Sequence, residues 1–280
     1  MPTLVVVNGE VLDGDGPVLH LDNRAFHYGD GLFESIRAIG GKPLFLDAHW
    51  ARLQAGLRVL QIERPERLDR ELLEVHIKEL LTRTGISSGR LRLTVFRESH
   101  GHYRPDSDHG GFVIEVSPWP HDTFVLNDHG FQVDIYPDMR KPVNALSIHK
   151  TLNCQYSIMS ALWSKERGLD ECLLQNERGN IIESSSGNLF IVSNGVLYTP
   201  ALSDGCVAGV MRMQVINLAI AHGMKVYECS LNPQNLLAAD ELFFTNAIRG
   251  IQWAAAYRTK RYAHRQSQEL VELLVAQAAT

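Results

Sequence analysis

The sequence predicts an α+β fold built as two α/β domains, and three observations support this prediction. A chain of 280 residues with 45% hydrophobic composition is long enough for two small domains. Strand-like and helix-like segments alternate, but without the regular βαβ rhythm of a doubly wound sheet. Residues 117–122 contain two prolines and form the best linker candidate. We therefore place an N-terminal domain at 1–119 and a C-terminal domain at 120–280.

The elements of the first half follow from apolar spacing and from residues that begin or end helices. Alternating or β-rich runs predict strands at 4–7, 29–39, 90–97 and 111–117. Apolar residues at helical spacing predict helices at about 47–62 and 66–84. Asp47 would cap the first helix, and Gly85 would end the second. Alternation also puts Arg90 and Arg92 on one face of their strand.

The second half continues with the same mixture of elements. Strands are predicted near 130–136, 225–230 and 241–245, and helices at about 153–167, at 210–222 and from 267 onward. The stretch 171–200 is predicted to contain strands joined by turns at 176–180 and 194–195.

Composition argues against several classes of function. The formal net charge of −5 gives the chain no electrostatic reason to bind nucleic acid or an anionic membrane. The sequence has no apolar run of about 18 residues that would predict a membrane span, and its start is typical of a first strand rather than of a signal peptide. Four widely spaced cysteines without a C-x-x-C pair predict reduced thiols, no metal site and a cytoplasmic protein.

Lys150 is the first candidate for chemistry. It follows the apolar stretch 145–148 and precedes a predicted helix. Burial disfavours an ammonium and frees the amine as a nucleophile for an aldehyde. The alternative is a solvated lysine before a helix, and spacing alone favours that alternative.

Glu183 is the second candidate. It ends an apolar strand and opens the hydroxyl-rich run 184–188. A carboxylate in such a polar pocket suits pairing with a protonated ring nitrogen, which keeps a pyridine ring cationic and able to accept electrons. An ordinary strand-end glutamate is an equally good interpretation of Glu183 in isolation.

A third candidate is the loop–helix junction at 209–212. Gly209 permits an anion to approach the main chain closely. The amides of Val210 and Met211 would be unbonded N–H groups at a helix start, where phosphates bind. Arg52, in the first long helix, could add a fixed positive charge for the same phosphate. An ordinary glycine junction and a solvated arginine are the common alternatives.

The order and spacing of these residues resemble the fold-type IV pyridoxal-phosphate enzymes. These are the class IV aminotransferases, which comprise D-amino-acid, branched-chain and R-selective amine transaminases, together with aminodeoxychorismate lyase. The resemblance covers nearly the whole chain. The best-matching stretches are 22–37, 49–53, 150–153, 183–190, 209–212 and 240–250.

The resemblance implies pyridoxal 5'-phosphate as the cofactor, bound mainly by the C-terminal domain. Lys150 would hold it as a Schiff base, the internal aldimine, and would move the proton between substrate and cofactor. Glu183 would pair with the pyridine nitrogen, and Val207 would pack against the ring. The implied phosphate ligands are Arg52, Gly209, the Val210 and Met211 amides, and Asn246. The resemblance also implies a homodimer in which the partner chain completes the active site.

Substrate-facing residues must decide among the members of this family. The candidates are Phe33, Arg37, Arg92, His102 and Arg104, with His27 in the segment that would approach the partner's site. Bacillus-type D-amino-acid transaminases carry an Arg-x-His carboxylate trap, where this chain has His102-Tyr103-Arg104 in reverse order. They also have a tyrosine where Arg92 stands, so Arg92 could replace part of the trap.

These features favour a transaminase that moves an amino group between an amino acid, with D-amino acids leading, and a 2-oxo acid. The stretch 150–153 matches the D-amino-acid and lyase types rather than the branched-chain type. Aminodeoxychorismate lyase is the alternative, because residues 245–250 look like the corresponding lyase stretch, although the 97–104 loop differs from the lyase loop. Branched-chain L-amino-acid and R-amine transamination are weaker alternatives.

Overall fold

A computed structural model describes residues 3–279, and the chain forms two compact units. The first comprises the chain up to Asp122 together with His149–Asn153, and the second comprises Thr123–Ile148 and the chain from Cys154 onward. The sequence places the division between residues 119 and 120. In the structure the chain first passes from one unit to the other after Asp122, three residues later. It did not anticipate that residues 149–153 return to the first unit.

The first unit contains an antiparallel sheet with its two long helices packed on one face. The strands are β1 (Leu4–Val7), β2 (Glu10–Asp13), β3 (Gly31–Ile39), β4 (Lys42–Pro43), β5 (Gly89–Arg97) and β6 (Gly110–Pro118). Their order is β2-β1-β6-β5-β3-β4. The helices are α1 (Arg24–Tyr28), α2 (Leu46–Leu60) and α3 (Arg70–Thr84). Ile36 and Leu91 from the sheet pack with Leu53 and Ile77 from the helices in one apolar core.

The starts of the two long helices differ from the prediction. Phe45, in a left-handed conformation, precedes α2, so the prediction of Asp47 as its N-cap was wrong. Asp47 lies in the first turn and pairs with Arg70. Asp69 caps α3 by accepting from the Leu72 amide at 2.7 Å, so the helix begins at Arg70, four residues later than the predicted start. Gly85 ends α3 as predicted, with a φ of 68°.

Residues 150–152 lie beside the first residues of β3. Thr151 forms an isolated antiparallel bridge with Leu32. The Phe33 amide donates to the Lys150 carbonyl at 3.0 Å, and the Leu152 amide donates to the Gly31 carbonyl at 3.0 Å. These backbone bonds are why this short segment belongs to the first unit, and they fix the main chain that carries the Lys150 side chain.

The second unit is built around a larger sheet. Its strands are β7 (Phe131–Lys141), β8 (Glu171–Asn176), β9 (Ile181–Ser184), β10 (Asn188–Ser193), β11 (Val196–Pro200), β12 (Val226–Cys229), β13 (Glu241–Asn246), β14 (Gly250–Tyr257) and β15 (Lys260–Arg261). The sheet order is β12-β11-β10-β13-β14-β7-β8-β9, and β15 pairs with β14. Because β9 also pairs with β10, the strands between them in this order form a closed ring.

The helices of the second unit are α4 (Gln155–Glu166), α5 (Val210–Ala221), α6 (Pro233–Ala238) and α7 (Arg265–Ala278). The predicted positions of α4, α5 and α7 are confirmed within about two residues. The sequence did not reveal β14 or α6, and it ended β7 five residues too early. Pro137 interrupts the strand pattern in the sequence there. In the structure, the pairing of β7 with β8 shifts register between Ile135 and Arg140.

Two predictions from composition can be compared with the described structure. All four cysteines are free thiols, as predicted. Within residues 3–279, no helix is long and apolar enough to cross a membrane.

Candidate functional site

Lys150 lies against an aromatic ring in the first unit. Its Nζ is 4.1 Å from the centroid of the Phe33 ring, and its side chain is half-buried rather than fully solvated. Phe33 itself is buried in β3. An ammonium over an aromatic face is attracted by the ring quadrupole. The main-chain bonds of residues 150–152 and this ring contact together fix the position of the amine.

Arg92 contacts the same ring. Its Cζ lies 4.0 Å from the Phe33 centroid, and its Nε donates to the Thr94 hydroxyl at 3.3 Å. Arg92 pairs across the sheet with Ser35, two residues beyond Phe33 on β3. The Lys150 amine and the Arg92 guanidinium are therefore no farther apart than the sum of their distances to the Phe33 centroid. The structure brings these three predicted residues together.

Arg37 lies farther along β3. It is four residues beyond Phe33, which corresponds to about 13 Å of strand. Its buried guanidinium donates to the His121 carbonyl, and its Cζ lies 5.4 Å from the Trp119 ring. Burial lowers its pKa to about 10, against the opposing charge of Asp122, so Arg37 stays a cation at neutral pH. Arg37 thus anchors the segment 119–122 that ends the first unit.

Arg52 belongs to a buried charge cluster that the sequence did not reveal. Its Nε donates to Glu34 Oε1 at 2.8 Å and its Nη2 to Oε2 at 2.5 Å, and His49 Nδ1 lies 2.6 Å from the same Oε2. Burial alone would raise the pKa of Glu34, but Arg52 and His49 hold it at about 2. Burial lowers the pKa of His49, despite the opposing effect of Glu34. A neutral His49 therefore donates from Nδ1 to an ionised Glu34.

The position of Arg52 is fixed by this cluster. His49 and Arg52 are three residues apart on α2 and face the same way, and Glu34 is an acidic residue among apolar neighbours on β3. That acidic residue, together with the His-x-x-Arg spacing, is the sequence signal that could have indicated the cluster. Nothing in the structure tests the predicted phosphate role of Arg52.

The loop with His102 and Arg104 is exposed and is held from beneath by Arg24. Arg24, buried in α1, donates from Nη1 to the carbonyls of Gly101 at 3.0 Å and His102 at 2.5 Å. His27, also in α1, is exposed. These side chains face solvent within the first unit, and their predicted substrate roles stay predictions.

Glu183 is a buried carboxylate in the second unit, paired with a lysine. Its Oε1 accepts from Lys141 Nζ at 2.7 Å, and its Oε2 accepts from the Val207 amide at 2.8 Å. Lys141 also donates to the Ser147 carbonyl at 3.0 Å. Nothing in the sequence indicated this role for Lys141, because the end of β7 that carries it to Glu183 was not predicted. The structure thus brings together the predicted Glu183 and Val207.

Val207 and the start of α5 are fixed by Asn188. Asn188 stands opposite Glu183 across the β9–β10 pair and donates from Nδ2 to the Val207 carbonyl at 2.8 Å. The N-cap of α5 is Gly209, which has no side chain to cap the helix. A Cβ on Gly209 would overlap Asn188 Oδ1, so the glycine is required. The amides of Val210 and Met211 open α5, as the sequence predicted.

The end of β13 contributes a second loop. Asn246 Oδ1 accepts from the amides of Ile248 at 3.1 Å and Arg249 at 2.8 Å, so its side chain shapes the turn after β13. The adjacent Thr245 hydroxyl is buried and has no hydrogen-bond partner within the described part of the chain. The sequence reasoning did not single out Thr245, although it compared the stretch that begins there.

Glu171 organises the serines that follow Glu183. Its buried carboxylate accepts from the Ser185 amide at 3.2 Å, from the Ser185 hydroxyl, and from the Ser186 hydroxyl at 2.6 Å. The hydroxyl-rich run is therefore a loop held by an internal acceptor, next to the carboxylate of Glu183. Glu171 opens the stretch 171–200 that was predicted to contain strands, and its sequence context gave no signal for this role.

Comparisons with known proteins give a consistent result. The family model for amino-transferase class IV matches residues 31–257. The chain is 32% identical over 252 residues to a putative branched-chain-amino-acid aminotransferase of Methanocaldococcus jannaschii, covering 88% of this chain and 85% of that one. It is 28% identical to aminodeoxychorismate lyase of Bacillus subtilis, with coverages of 88% and 83%. It is 26% identical to D-alanine aminotransferase of Bacillus licheniformis, with coverages of 86% and 84%.

A solved structure extends this similarity to the whole fold. The branched-chain aminotransferase of the archaeon Thermoproteus uzoniensis, crystallised with norvaline, matches 97% of this chain and 93% of its own. The TM-score is 0.89 at 25% sequence identity. The predicted α+β, fold-type IV architecture is confirmed by this match.

Proposed function

The chain belongs to the class IV aminotransferase family of pyridoxal-phosphate-dependent enzymes, and on that premise we propose that it moves an amino group from a D-amino acid to a 2-oxo acid. The prediction of a class IV transaminase is thereby confirmed at the level of the family. The observation that carries the proposal is the position of Lys150 and Arg92 on one Phe33 ring. This places a nucleophilic amine near a cation that can bind a carboxylate.

The residues present fit pyridoxal phosphate. The Thr245 hydroxyl is buried and unpaired within residues 3–279, so a phosphate oxygen would satisfy it. The start of α5 offers the amides of Val210 and Met211 to the same group, and Arg52 would add a fixed positive charge. Glu183, a buried carboxylate, would accept the pyridine N–H. When bound, the cofactor supplies an aldehyde for amines and an electron-accepting ring.

The chain's own residues then have separate tasks. Lys150 Nζ would take the proton from the donor's α carbon and return it at the cofactor carbon. Glu183 would hold the ring proton, and Val207 would pack against the ring. His49 and Glu34 fix Arg52 through buried bonds. Arg92 would bind the α-carboxylate and so orient the donor's α carbon toward Lys150.

Two observations support D-amino acids as donors. The stretch 150–153 resembles the D-amino-acid type, and a D-alanine aminotransferase is among the relatives. Branched-chain L-amino acids are the second candidate, because the 32% identical relative carries that name. A lyase reaction that releases pyruvate from aminodeoxychorismate is the third, supported by residues 245–250 and the 28% identical relative.

We also propose a homodimer in the cytoplasm. On α4, the large side chains of Ile158, Met159 and Leu162 are exposed, whereas the buried positions include Ser160 and Ser164. An apolar stripe at spacings of three and four on the solvent side of a helix is typical of a surface that another chain covers. Four free cysteines support the cytoplasmic location.

A donor panel tests the proposed function. The purified enzyme is loaded with pyridoxal phosphate and mixed separately with D-alanine, D-glutamate, L-leucine, L-valine and aminodeoxychorismate. We expect the D-amino acids to convert the cofactor's absorption to that of its amine form and to release the matching 2-oxo acids. Conversion by the L-amino acids alone would favour the second candidate. Pyruvate from aminodeoxychorismate, without any response to amino acids, would favour the lyase.

A further inference from the structure

We propose that Lys141 is a positioning residue that keeps Glu183 ionised, so that the proton shared between Glu183 and the cofactor stays on the ring nitrogen. This inference rests on the proposed function, because it concerns the carboxylate assigned there to the pyridine N–H. It goes further by giving a task to a lysine that lies outside the direct cofactor contacts.

The geometry around Glu183 leaves little freedom to its carboxylate. Lys141 Nζ is 2.7 Å from Oε1, and the Val207 amide is 2.8 Å from Oε2. The side chains of Lys141 and Glu183 are only 15% and 9% exposed. Each carboxylate oxygen therefore has a defined donor, and one of the two donors carries a charge.

The cation is itself held in place. Lys141 Nζ donates a second bond to the Ser147 carbonyl at 3.0 Å. The Ser147 hydroxyl in turn donates to the Pro142 carbonyl at 2.8 Å and accepts from the Asn144 amide at 2.9 Å. The loop 142–147 is thus folded onto the ammonium, and the lysine has little freedom to turn away from Glu183.

The charge of Lys141 decides where the shared proton lies. A buried carboxylate without a cation is destabilised in its ionised form and takes up a proton. In that case Glu183 would carry the proton, and the ring nitrogen would become a neutral acceptor. With Lys141 in place the carboxylate stays an anion, the proton stays on nitrogen, and the ring keeps the positive charge that lets it accept electrons. No proton is gained or lost by the pair as a whole.

The test follows the ring nitrogen directly. Apoprotein is loaded with pyridoxal phosphate labelled with ¹⁵N in the ring, and the ¹⁵N chemical shift of the bound cofactor is measured. We expect a pyridinium shift in the wild type. In Lys141→Gln and Lys141→Met the signal should move toward that of a neutral pyridine, whereas Lys141→Arg, which keeps the charge, should stay near the wild type. Lys165→Gln, an exposed lysine on α4, is the matched control.

Two further comparisons separate the role of Lys141 from the role of Glu183. Lys141→Gln keeps a donor of similar reach and carries the test if Lys141→Met does not fold. Glu183→Gln should move the signal in the same direction as Lys141→Gln. If Glu183→Gln moves the signal but Lys141→Gln leaves it at the wild-type position, the role of Lys141 is overturned and the proposed function stands. If the wild type retains no labelled cofactor, or Glu183→Gln has no effect, the proposed role of Glu183 itself fails.

Discussion

His49 Nδ1 lies 2.6 Å from Glu34 Oε2, and both side chains are almost completely buried, with exposed fractions of 1% and 2%. The carboxylate also receives two N–H groups from Arg52. A charge this deep in a protein is tolerated only when it is paired and hydrogen-bonded. The Arg52 guanidinium consequently starts from a fixed orientation, before any ligand is bound.

Glu34→Gln should therefore destabilise the fold in a pH-dependent way. The pKa of Glu34 is lowered from 4.5 to about 2, so its contribution to stability is present above pH 4.5 and is lost as the pH falls toward 2. A pKa shift of this size corresponds to a contribution of about 3 kcal/mol to the free energy of unfolding. Urea unfolding at pH 7, 4.5 and 3 measures the difference between wild type and variant, which should shrink at the lowest pH.

The same variant should bind pyridoxal phosphate more weakly, because Arg52 loses its anchor. Glu79→Gln, on the exposed side of α3, is a matched control and should change neither quantity. An equal loss of stability at every pH would contradict the assignment of the effect to the ionised carboxylate.

Arg92→Met should raise the KM for amino acid donors and leave cofactor binding unchanged. An arginine–carboxylate interaction contributes about 1.5–3 kcal/mol, which corresponds to a rise of roughly 10- to 100-fold. The absorption spectrum of the bound cofactor should stay that of the wild type. Arg90→Met, an exposed arginine on the same strand, is the control. A rise of similar size for Arg90→Met would mean that Arg92 acts only through the general charge of the sheet.

The sequence predicted the fold class, which the match to a solved structure confirms, and it singled out chemically distinctive residues whose roles stay predictions. Lys150, Glu183 and Gly209 each combine a suitable chemistry with a local pattern, but it was their order and spacing, which resemble a known family, that favoured them over the ordinary alternatives. The α5 boundary followed from the same pattern. These features depend on neighbours in sequence, so they could be identified without knowledge of long-range contacts.

Residues that act through long-range contacts were missed. Lys141 and Glu183 are 42 positions apart, and Glu34 and Arg52 are 18 apart. The return of residues 149–153 to the first unit depends on a bridge between Leu32 and Thr151. No periodicity encodes such pairings, because they arise only when strands from distant parts of the chain lie side by side.

Gly209→Ala should destabilise the second unit and weaken cofactor binding. The new methyl group would overlap Asn188 Oδ1, so Asn188 must move and release the Val207 carbonyl. Overpacking of this kind costs about 1–3 kcal/mol. Thermal unfolding of the apoprotein and titration with pyridoxal phosphate measure the two effects.

A double variant separates this clash from any loss of backbone flexibility. Adding Asn188→Ala removes the atom that the methyl group meets, so the combined loss should be smaller than the sum of the single losses. Gly16→Ala, where a Cβ meets only ordinary contacts, is the control and should be close to neutral. Additive losses in the double variant would rule out the clash as the cause.

Arg24→Met should loosen the loop that carries His102 and Arg104. Arg24 is the buried donor to the Gly101 and His102 carbonyls, and its Nε also bonds to Asp30 at 2.8 Å. Limited chymotrypsin digestion reports the change, because Tyr103 is an exposed aromatic residue in that loop, and cleavage after it should become faster. Arg67→Met, an exposed arginine paired with Glu10, should leave the rate unchanged.

Ile158→Asp should convert the proposed dimer into monomers. Ile158 and Leu162 lie one turn apart on α4, and both side chains are about half exposed in the isolated chain. A carboxylate buried against a second chain would lack a partner, which costs several kcal/mol. Sedimentation velocity over a range of protein concentrations measures the oligomeric state. Ile220→Asp, at an exposed position on α5, is the matched control and should stay a dimer. A dimer that survives Ile158→Asp and Leu162→Asp alike would place the interface elsewhere on the chain.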